Sequence, residues 1–192
     1  MRDCNWNIDL FERWILGGTG HREWACRRAN GQTLEVAIGT GLNLLHYPAG
    51  MGLTGLDTDP QALARAAERA EAINREVDLV VGDAGDLPFP DETFDTVICT
   101  HALCSVGDDR HALAEMKQVL KPEGQLILVD HVRSSIAPLH WLQWLYEFIP
   151  SRTKGEYMTR RPAAHLAGIG LRVVASDRLR AGILERLVAE KD

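Results

Sequence analysis

The sequence predicts an α/β fold, a doubly wound and mostly parallel sheet with helices on both faces. Three observations predict it. The apolar stretch Leu34 to Ile38 runs straight into a Gly39-Thr40-Gly41 loop; later apolar runs lead into Asp57, Asp83 and Thr100; and helical patterns separate the runs, as β-α-β units require. The chain has 192 residues, 45% hydrophobic and 25% charged, a composition that excludes collagen, coiled coil and disorder. That length holds one domain with a sizeable core, so residues 1–192 are read as a single unit. A net charge of −6 disfavours a nucleic-acid partner, which calls for a clustered basic face.

In chain order, Ile8, Phe11 and Ile15 recur at helical spacing beside Trp14, and Gly17-Gly18 stops that helix. A second short helix covers His21 to Ala29. After the first strand, residues 51–57 form the second, and Asp59 caps an alanine-rich helix that Pro60 opens and that runs to about Ala72. Val77 to Val81 is the third strand. The proline-marked loop Leu87 to Asp91 leads to the fourth, Phe94 to Thr100. Asp108 to Leu120 is an amphipathic helix with Leu113, Met116 and Val119 inward and His111 near its exposed start, closed by Lys-Pro-Glu-Gly. Gln125 to Val129 is the fifth strand.

Residues 139–149 form a helix whose polar positions, His140, Gln143 and Glu147, make one narrow stripe, so most of its circumference needs cover. Core burial, a roof over a substrate pocket, a second subunit in a homodimer and peripheral membrane contact all answer that need. Arg152, Lys154, Arg160 and Arg161 read as a solvated face that also suits an anionic substrate or headgroup. A helix near Arg161 to Ala167 and two strands, Leu171 to Ser176 and Ile183 to Val188, end the chain.

The loop after the first strand reads as a nucleotide-type cofactor loop in which Gly39 and Gly41 let the main chain approach a ligand. A dinucleotide fingerprint wants a third glycine where Leu44 stands, which argues against a nicotinamide oxidoreductase. Taken together, Glu35 to Asn43, Gly55 to Pro60, Gly82-Asp-Ala84, Leu87 to Asp95 and Val119 to Gly124 resemble class I S-adenosylmethionine-dependent methyltransferases. The resemblance implies a Rossmann-like sheet of seven strands, the last antiparallel and inserted near the end, with residues 1–30 as a helical cover and Trp6, Trp14 and Trp24 as candidate covering groups. It implies S-adenosyl-L-methionine as cofactor, held by Glu35, Ala37, Gly39, Gly41 and Asn43 at the loop, by Asp57 and Thr58 at the ribose, by Asp83 and Ala84 at the adenine, and by Thr100 and His101 at the fourth strand's end. Ala37 stands where the family's E/D-x-G-x-G-x-G pattern has its first glycine. That departure motivates a second reading, a non-catalytic adenosylmethionine-binding protein.

Open parallel sheets bind ligands beyond the carboxyl ends of their strands, which brings His101 and His131 to one rim as candidate catalytic bases. An unperturbed imidazole titrates near pH 6.5, so either takes a proton near neutrality; simple hydrogen bonding to loop backbone is the structural alternative for each. Cys99 to Val106, Asp130-His-Val132 and the aromatic helix after them resemble animal methyltransferase-like proteins that methylate alkyl thiols. They are similar, more loosely, to bacterial phospholipid N-methyltransferases and quinone-pathway C-methyltransferases. The acceptor implied first is a small apolar thiol, and second a phospholipid or quinone-like molecule.

The four cysteines, Cys4, Cys26, Cys99 and Cys104, show no C-x-x-C pair and no histidine at zinc-finger spacing, so no metal is expected. No signal-peptide pattern and no apolar run long enough to span a bilayer stand in the sequence, which reads as cytoplasmic with reduced thiols.

Overall fold

The structure, a computed structural model, describes residues 20–147, 160–179 and 182–192. The helix expected over Ile8 to Ile15, with Trp6 and Trp14, and the cations Arg152 and Lys154 lie outside those residues. The elements are α1 (Gly20–Cys26), β1 (Thr33–Val36), β2 (Leu53–Asp57), α2 (Pro60–Ala72), β3 (Asp78–Val81), β4 (Phe94–Thr100), α3 (Asp109–Val119), β5 (Leu120–His131), α4 (Ala137–Glu147), α5 (Ala163–Leu166), β6 (Leu171–Leu179) and β7 (Leu184–Lys191), with a 3-10 turn at Ala167–Ile169.

The seven strands form one sheet in the order β3-β2-β1-β4-β5-β7-β6, with β7 antiparallel to both its neighbours. The other neighbouring pairs, β1 with β2 and β4, β2 with β3, and β4 with β5, are parallel. Side-chain alternation then builds two cores. On β4 and β5, Val97, Cys99, Leu126 and Leu128 point into one cluster with Leu113 and Met116 of α3 and Leu166 of α5. Ile98, Ile127 and Val129, one residue out of phase, point into the other with Ala25 and Cys26 of α1 and Leu63 and Ala70 of α2. A strand buried on both faces must be apolar at consecutive positions, and these two are.

The helix starts are where their caps put them. Asp59 accepts the Gln61 amide at 2.9 Å with Pro60 in the first turn of α2, and Asp108 accepts the amides of Arg110 and His111 at the start of α3. Three expectations need correction. β5 begins at Leu120 rather than Gln125, because the Lys121-to-Gly124 segment already runs extended beside β4, with a register shift between Phe94 and Thr96. β6 runs on to Leu179 and β7 to Lys191, since each satisfies the other's backbone in an antiparallel pair.

The third correction concerns α4, where Gln143 of the polar stripe does not face solvent. Gln143 is 7% exposed and accepts the Ser134 amide at 2.7 Å while donating to the Val132 carbonyl at 3.1 Å, whereas Trp141, Trp144 and Leu145 are exposed among the described residues. The chain leaving β5 has backbone groups with no strand to pair them, and the amide side chain of Gln143 supplies both a donor and an acceptor.

Candidate active site

The loop after β1 turns through two left-handed residues that matter to the site. Ala37 has φ +57° and Gly39 φ +56°. Glycine adopts that conformation freely, while alanine meets a steric penalty, so Ala37 is a strained point in the loop. A Cβ at Gly39 would meet nothing within 4 Å, so this glycine faces open space. Gly41 differs: a Cβ there would sit 2.6 Å from Leu44 Cδ1 and 3.2 Å from the Ala66 backbone of α2. Its freedom from a side chain serves close packing of the loop on α2.

The loop is held from two sides. Asp57, the last residue of β2, accepts the Gly39 amide on Oδ2 at 2.7 Å and the Asp59 amide on Oδ1 at 3.0 Å. Beneath the loop, Glu35 is 2% exposed and accepts Asn43 Nδ2 at 2.7 Å and Tyr47 Oη at 2.8 Å. Burial raises the Glu35 carboxyl to about 7, against the opposing hydrogen bonds of Tyr47 and Asn43 and the charge of Arg22. Asn43 Nδ2 also donates to Thr100 Oγ1 at 2.9 Å, and Arg22 of α1 donates to both Asn43 Oδ1 and Thr100 Oγ1. Glu35, Asn43 and Thr100 are buried, and they form the support of the loop rather than its ligand-facing surface.

A cavity of ≈ 420 Å³ opens beyond the carboxyl ends of β1 to β4. Of the residues expected at the cofactor, Ala37, Asp57, Thr58, Asp83, Ala84 and His101 line it. Asp83 Oδ1 accepts the Gly85 amide at 2.7 Å, and Asp83 is exposed where it lines the cavity. The far wall is the turn Ser105-Val106-Gly107. Trp24, a candidate covering group, lies under two guanidiniums, Arg28 at 4.1 Å and Arg186 at 4.7 Å, and is not among the residues that line the cavity.

His101 enters the cavity wall from the residue after β4, with φ +53° and its amide bonded to the Val129 carbonyl at 2.7 Å. Its Nδ1 is sealed from solvent and makes no hydrogen bond. Burial, then the charges of Arg22, His131 and His21, holds its pKa well below 6.5, so the ring is neutral. His131 ends β5, and its ring centroid is 5.1 Å from that of His101. Its Nδ1 lies 4.0 Å from Asp130 Oδ1. Burial raises Asp130 to about 6, although the amides of His131, Leu103 and Cys104 and the Cys104 thiol favour its charge. Oδ1 accepts the His131 amide at 2.7 Å, while Oδ2 makes no hydrogen bond.

Two residues escape sequence reasoning. Arg22 gave no motif signal, because its partners Asn43 and Thr100 are distant in the chain. Arg160, read as part of a solvated charge run, donates to the carbonyls of Leu103 (2.8 Å), Val106 (2.5 Å) and Gly107 (2.9 Å) and so clamps the turn that walls the cavity. A single cation closing on several carbonyls of one turn leaves no local pattern that would reveal it.

The protein-family description "Methyltransferase domain" matches residues 34–128, which span the loop, the cavity and most of β5. The chain carries a class I methyltransferase domain. It is 38% identical over 111 residues to a phosphatidylethanolamine N-methyltransferase of Cereibacter sphaeroides, covering 57% of this chain and 55% of that protein. It is 34% identical over 145 residues to a ubiquinone/menaquinone biosynthesis C-methyltransferase of Paracoccus denitrificans, covering 69% and 57%. A human thiol S-methyltransferase is 37% identical over 103 residues, covering 52% and 42%. The chain therefore spans little more than half the length of the first of these relatives and less of the last. Among solved structures, a methyltransferase of Methanosarcina mazei superposes with TM-score 0.67 at 23% identity, covering 85% of this chain and 93% of that one. The [4+2]-cyclase SpnF superposes with TM-score 0.72 at 18% identity, covering 90% and 80%; likeness at this level is a matter of fold alone.

S-adenosyl-L-methionine is the cofactor of this methyltransferase domain, and the residues present fit it. The cavity falls in the range of small-ligand sites, about 300–1,000 Å³. It combines carboxylates at Asp57 and Asp83 with apolar surface at Leu56, Ala84 and Val106. The absent Cβ at Gly39 leaves room at the loop. Residues 39–46 run as successive turns rather than opening a regular helix, and Leu44 is fully buried, so no helix N-terminus is offered to a pyrophosphate.

Proposed function

We propose that this methyltransferase transfers the methyl group of S-adenosyl-L-methionine to a small apolar acceptor, a thiol in the first instance. The observation that carries the reading is His101, a neutral imidazole in the cavity wall with Nδ1 unbonded and sealed from solvent. Such a ring, with Nδ1 out of reach, offers its other nitrogen to an acceptor's S–H and, being uncharged, does not repel a cationic sulfonium. The similarity to a human thiol S-methyltransferase supports the same choice. His131, next to it, takes or passes on the proton.

Within this reading Asp57 and Thr58 hold the ribose, and Asp83 with the Ala84 amide reads the adenine. Ala37 and Gly39 lie against the methionine portion. Glu35, Gly41, Asn43 and Thr100 act from beneath by fixing the loop. The bound cofactor supplies an electrophilic methyl on a sulfonium. Transfer to it is an in-line displacement, so what the chain contributes is alignment and the exclusion of water.

A phospholipid or quinone-like acceptor is the second reading. Trp141, Trp144 and Leu145 on the outer face of α4 favour it, as does similarity to the phosphatidylethanolamine and quinone-pathway enzymes. Calorimetric titration with adenosylmethionine, adenosylhomocysteine and nicotinamide cofactors, with Asp57→Ala as control, tests the cofactor site. Mass-spectrometric turnover of alkyl thiols, phosphatidylethanolamine vesicles and a quinol then tests the acceptor. Binding of both sulfur ligands, weakened tenfold or more in Asp57→Ala by the order of a charge-assisted hydrogen bond, together with thiol methylation, is the expected result. Cofactor binding with turnover of lipid or quinol alone replaces the first acceptor by the second. Binding without any turnover favours a non-catalytic binding protein.

A further inference from the structure

We propose that Cys104, Asp130 and His131 form a zinc site at the acceptor end of the cavity. Sequence spacing argued against a metal because Cys104 follows β4 while Asp130 and His131 end β5, far apart in the chain. The fold brings them together: one ligand atom from each lies within 4.8 Å of the other two. The set is one sulfur, one imidazole nitrogen and one carboxylate oxygen, donors that zinc accepts in sites with three protein ligands and one open position.

A second observation points to a cation. Asp130 is 3% exposed, and its Oδ2 makes no hydrogen bond, although Oδ1 is satisfied by the His131 amide. Buried carboxylate oxygens are nearly always given a donor or a metal; the amides of Leu103 and Cys104 and the Cys104 thiol lie near enough to favour the charge of Asp130, but none of them closes a hydrogen bond on Oδ2. Asp130 and His131 are fixed by pairing with Glu185 and Leu184 of β7. Cys104 sits half-buried in the turn after β4, so it is the ligand with room to close the remaining distance. Tetrahedral zinc sets its ligands roughly 3.5 Å apart, which asks the turn to tighten by about 1 Å.

The position suits the methyl transfer proposed above, with His131 acting as a ligand when zinc is bound and its part in moving the proton passing to water. Ser105, next to Cys104, lines the cavity, and the His101 ring beside His131 lines it too. The open coordination position is therefore beside the place where an acceptor sulfur must lie. If the acceptor is a thiol, its S–H bond breaks, the proton leaves to water, and the sulfur binds the metal as a thiolate in place of a water molecule. The methyl carbon then forms its bond to that sulfur as its bond to the sulfonium sulfur breaks, and the sulfonium sulfur keeps the electron pair. This role rests on the thiol reading; the binding of zinc does not.

The test is metal binding by the reduced, untagged protein with Cys4→Ser in the background, stripped with a chelator and titrated with Co2+ and then Zn2+. One equivalent of Co2+ is expected to give a thiolate-to-cobalt charge-transfer band and the intense visible bands of a tetrahedral ion, both displaced by Zn2+. Cys104→Ser should abolish the charge-transfer band, and His131→Gln should weaken Zn2+ binding at least tenfold, with circular dichroism confirming that each variant folds. Absence of the band, or wild-type Zn2+ affinity in both variants, overturns the site. Neither readout depends on turnover or adenosylmethionine, so a wrong acceptor leaves it intact, and a failed metal site leaves the methyl-transfer reading to its own titration.

Discussion

The imidazoles of His101 and His131 stand 5.1 Å apart, centroid to centroid, with their planes tilted by 48°. Two rings this close cannot both be protonated cheaply, and burial already disfavours the charge on His101. The unfolded chain accepts a proton at His101 as pH falls through 6.5, while the folded chain refuses it until well below. The contribution of this group to stability is therefore full above about pH 6.5 and is lost as pH falls beneath it. His101→Asn, a residue that tolerates the left-handed backbone, is expected to flatten that acid-side loss in denaturant melts from about pH 7 to about pH 5. The same variant should lower kcat by about a hundredfold if the ring handles the acceptor's proton. An unchanged stability profile would contradict the neutral, buried assignment.

Glu35 works in the opposite direction. Its folded pKa is raised to about 7 from 4.5, so between those values the folded protein holds a proton that the unfolded chain has released. Stability from this group is present below pH 4.5 and falls as pH rises through about 7, by an order of 3 kcal/mol in all. Glu35→Gln keeps an acceptor for Asn43 and a polar partner for the Tyr47 hydroxyl but removes the titration. It should be more stable than the parent at about pH 8 and equal to it near pH 4, read from urea midpoints at about those two values.

Ala37 occupies a backbone conformation that glycine adopts without penalty. Ala37→Gly is expected to raise stability by about 0.5–1 kcal/mol, the left-handed strain relieved less the extra entropy of glycine in the unfolded chain. Ala37→Val, with a branched Cβ at the same φ, should lower it by more than about 1 kcal/mol. Thermal melts of the two variants against the parent decide the matter, and a loss in Ala37→Gly would refute the strain.

Arg160 holds three carbonyls of the turn after β4. Replacing it by leucine leaves those acceptors without their cation, at a cost of about 2–3 kcal/mol, and should speed amide hydrogen exchange across residues 103–107. Adenosylmethionine affinity should fall with it, since that turn is the far wall of the cavity. Exchange protection equal to the parent would show that the turn holds itself.

How much of this was legible in the sequence follows from the range of each interaction. The strands at Leu34, Val97 and Leu126 announce themselves because a sheet covered on both faces needs consecutive apolar residues. Asp59 announces the start of α2 because a cap acts within a single turn of chain. The acids at the ends of β2 and β3 were placed at the cavity for a similar reason: once the strands are counted, their carboxyl ends follow. The orientation of α4 was not legible. Its periodicity located a polar stripe, but whether Gln143 turned to solvent or inward depended on the Val132 carbonyl and the Ser134 amide, which the fold brings to its side chain.

The sequence alone determined the order of strands and helices, the loop on which Asp57 closes and the candidacy of His101 and His131, because these rest on periodicity and on spacing along the chain. Only the tertiary structure decided that Gly41 packs on Ala66, that Arg22 and Arg160 brace the cavity, and that Cys104 meets Asp130 and His131. The physical reason is that each of those relationships joins residues from different elements. Burial, orphaned polar groups and shifted protonation are properties of such meetings, and they come into being only when the sheet has assembled.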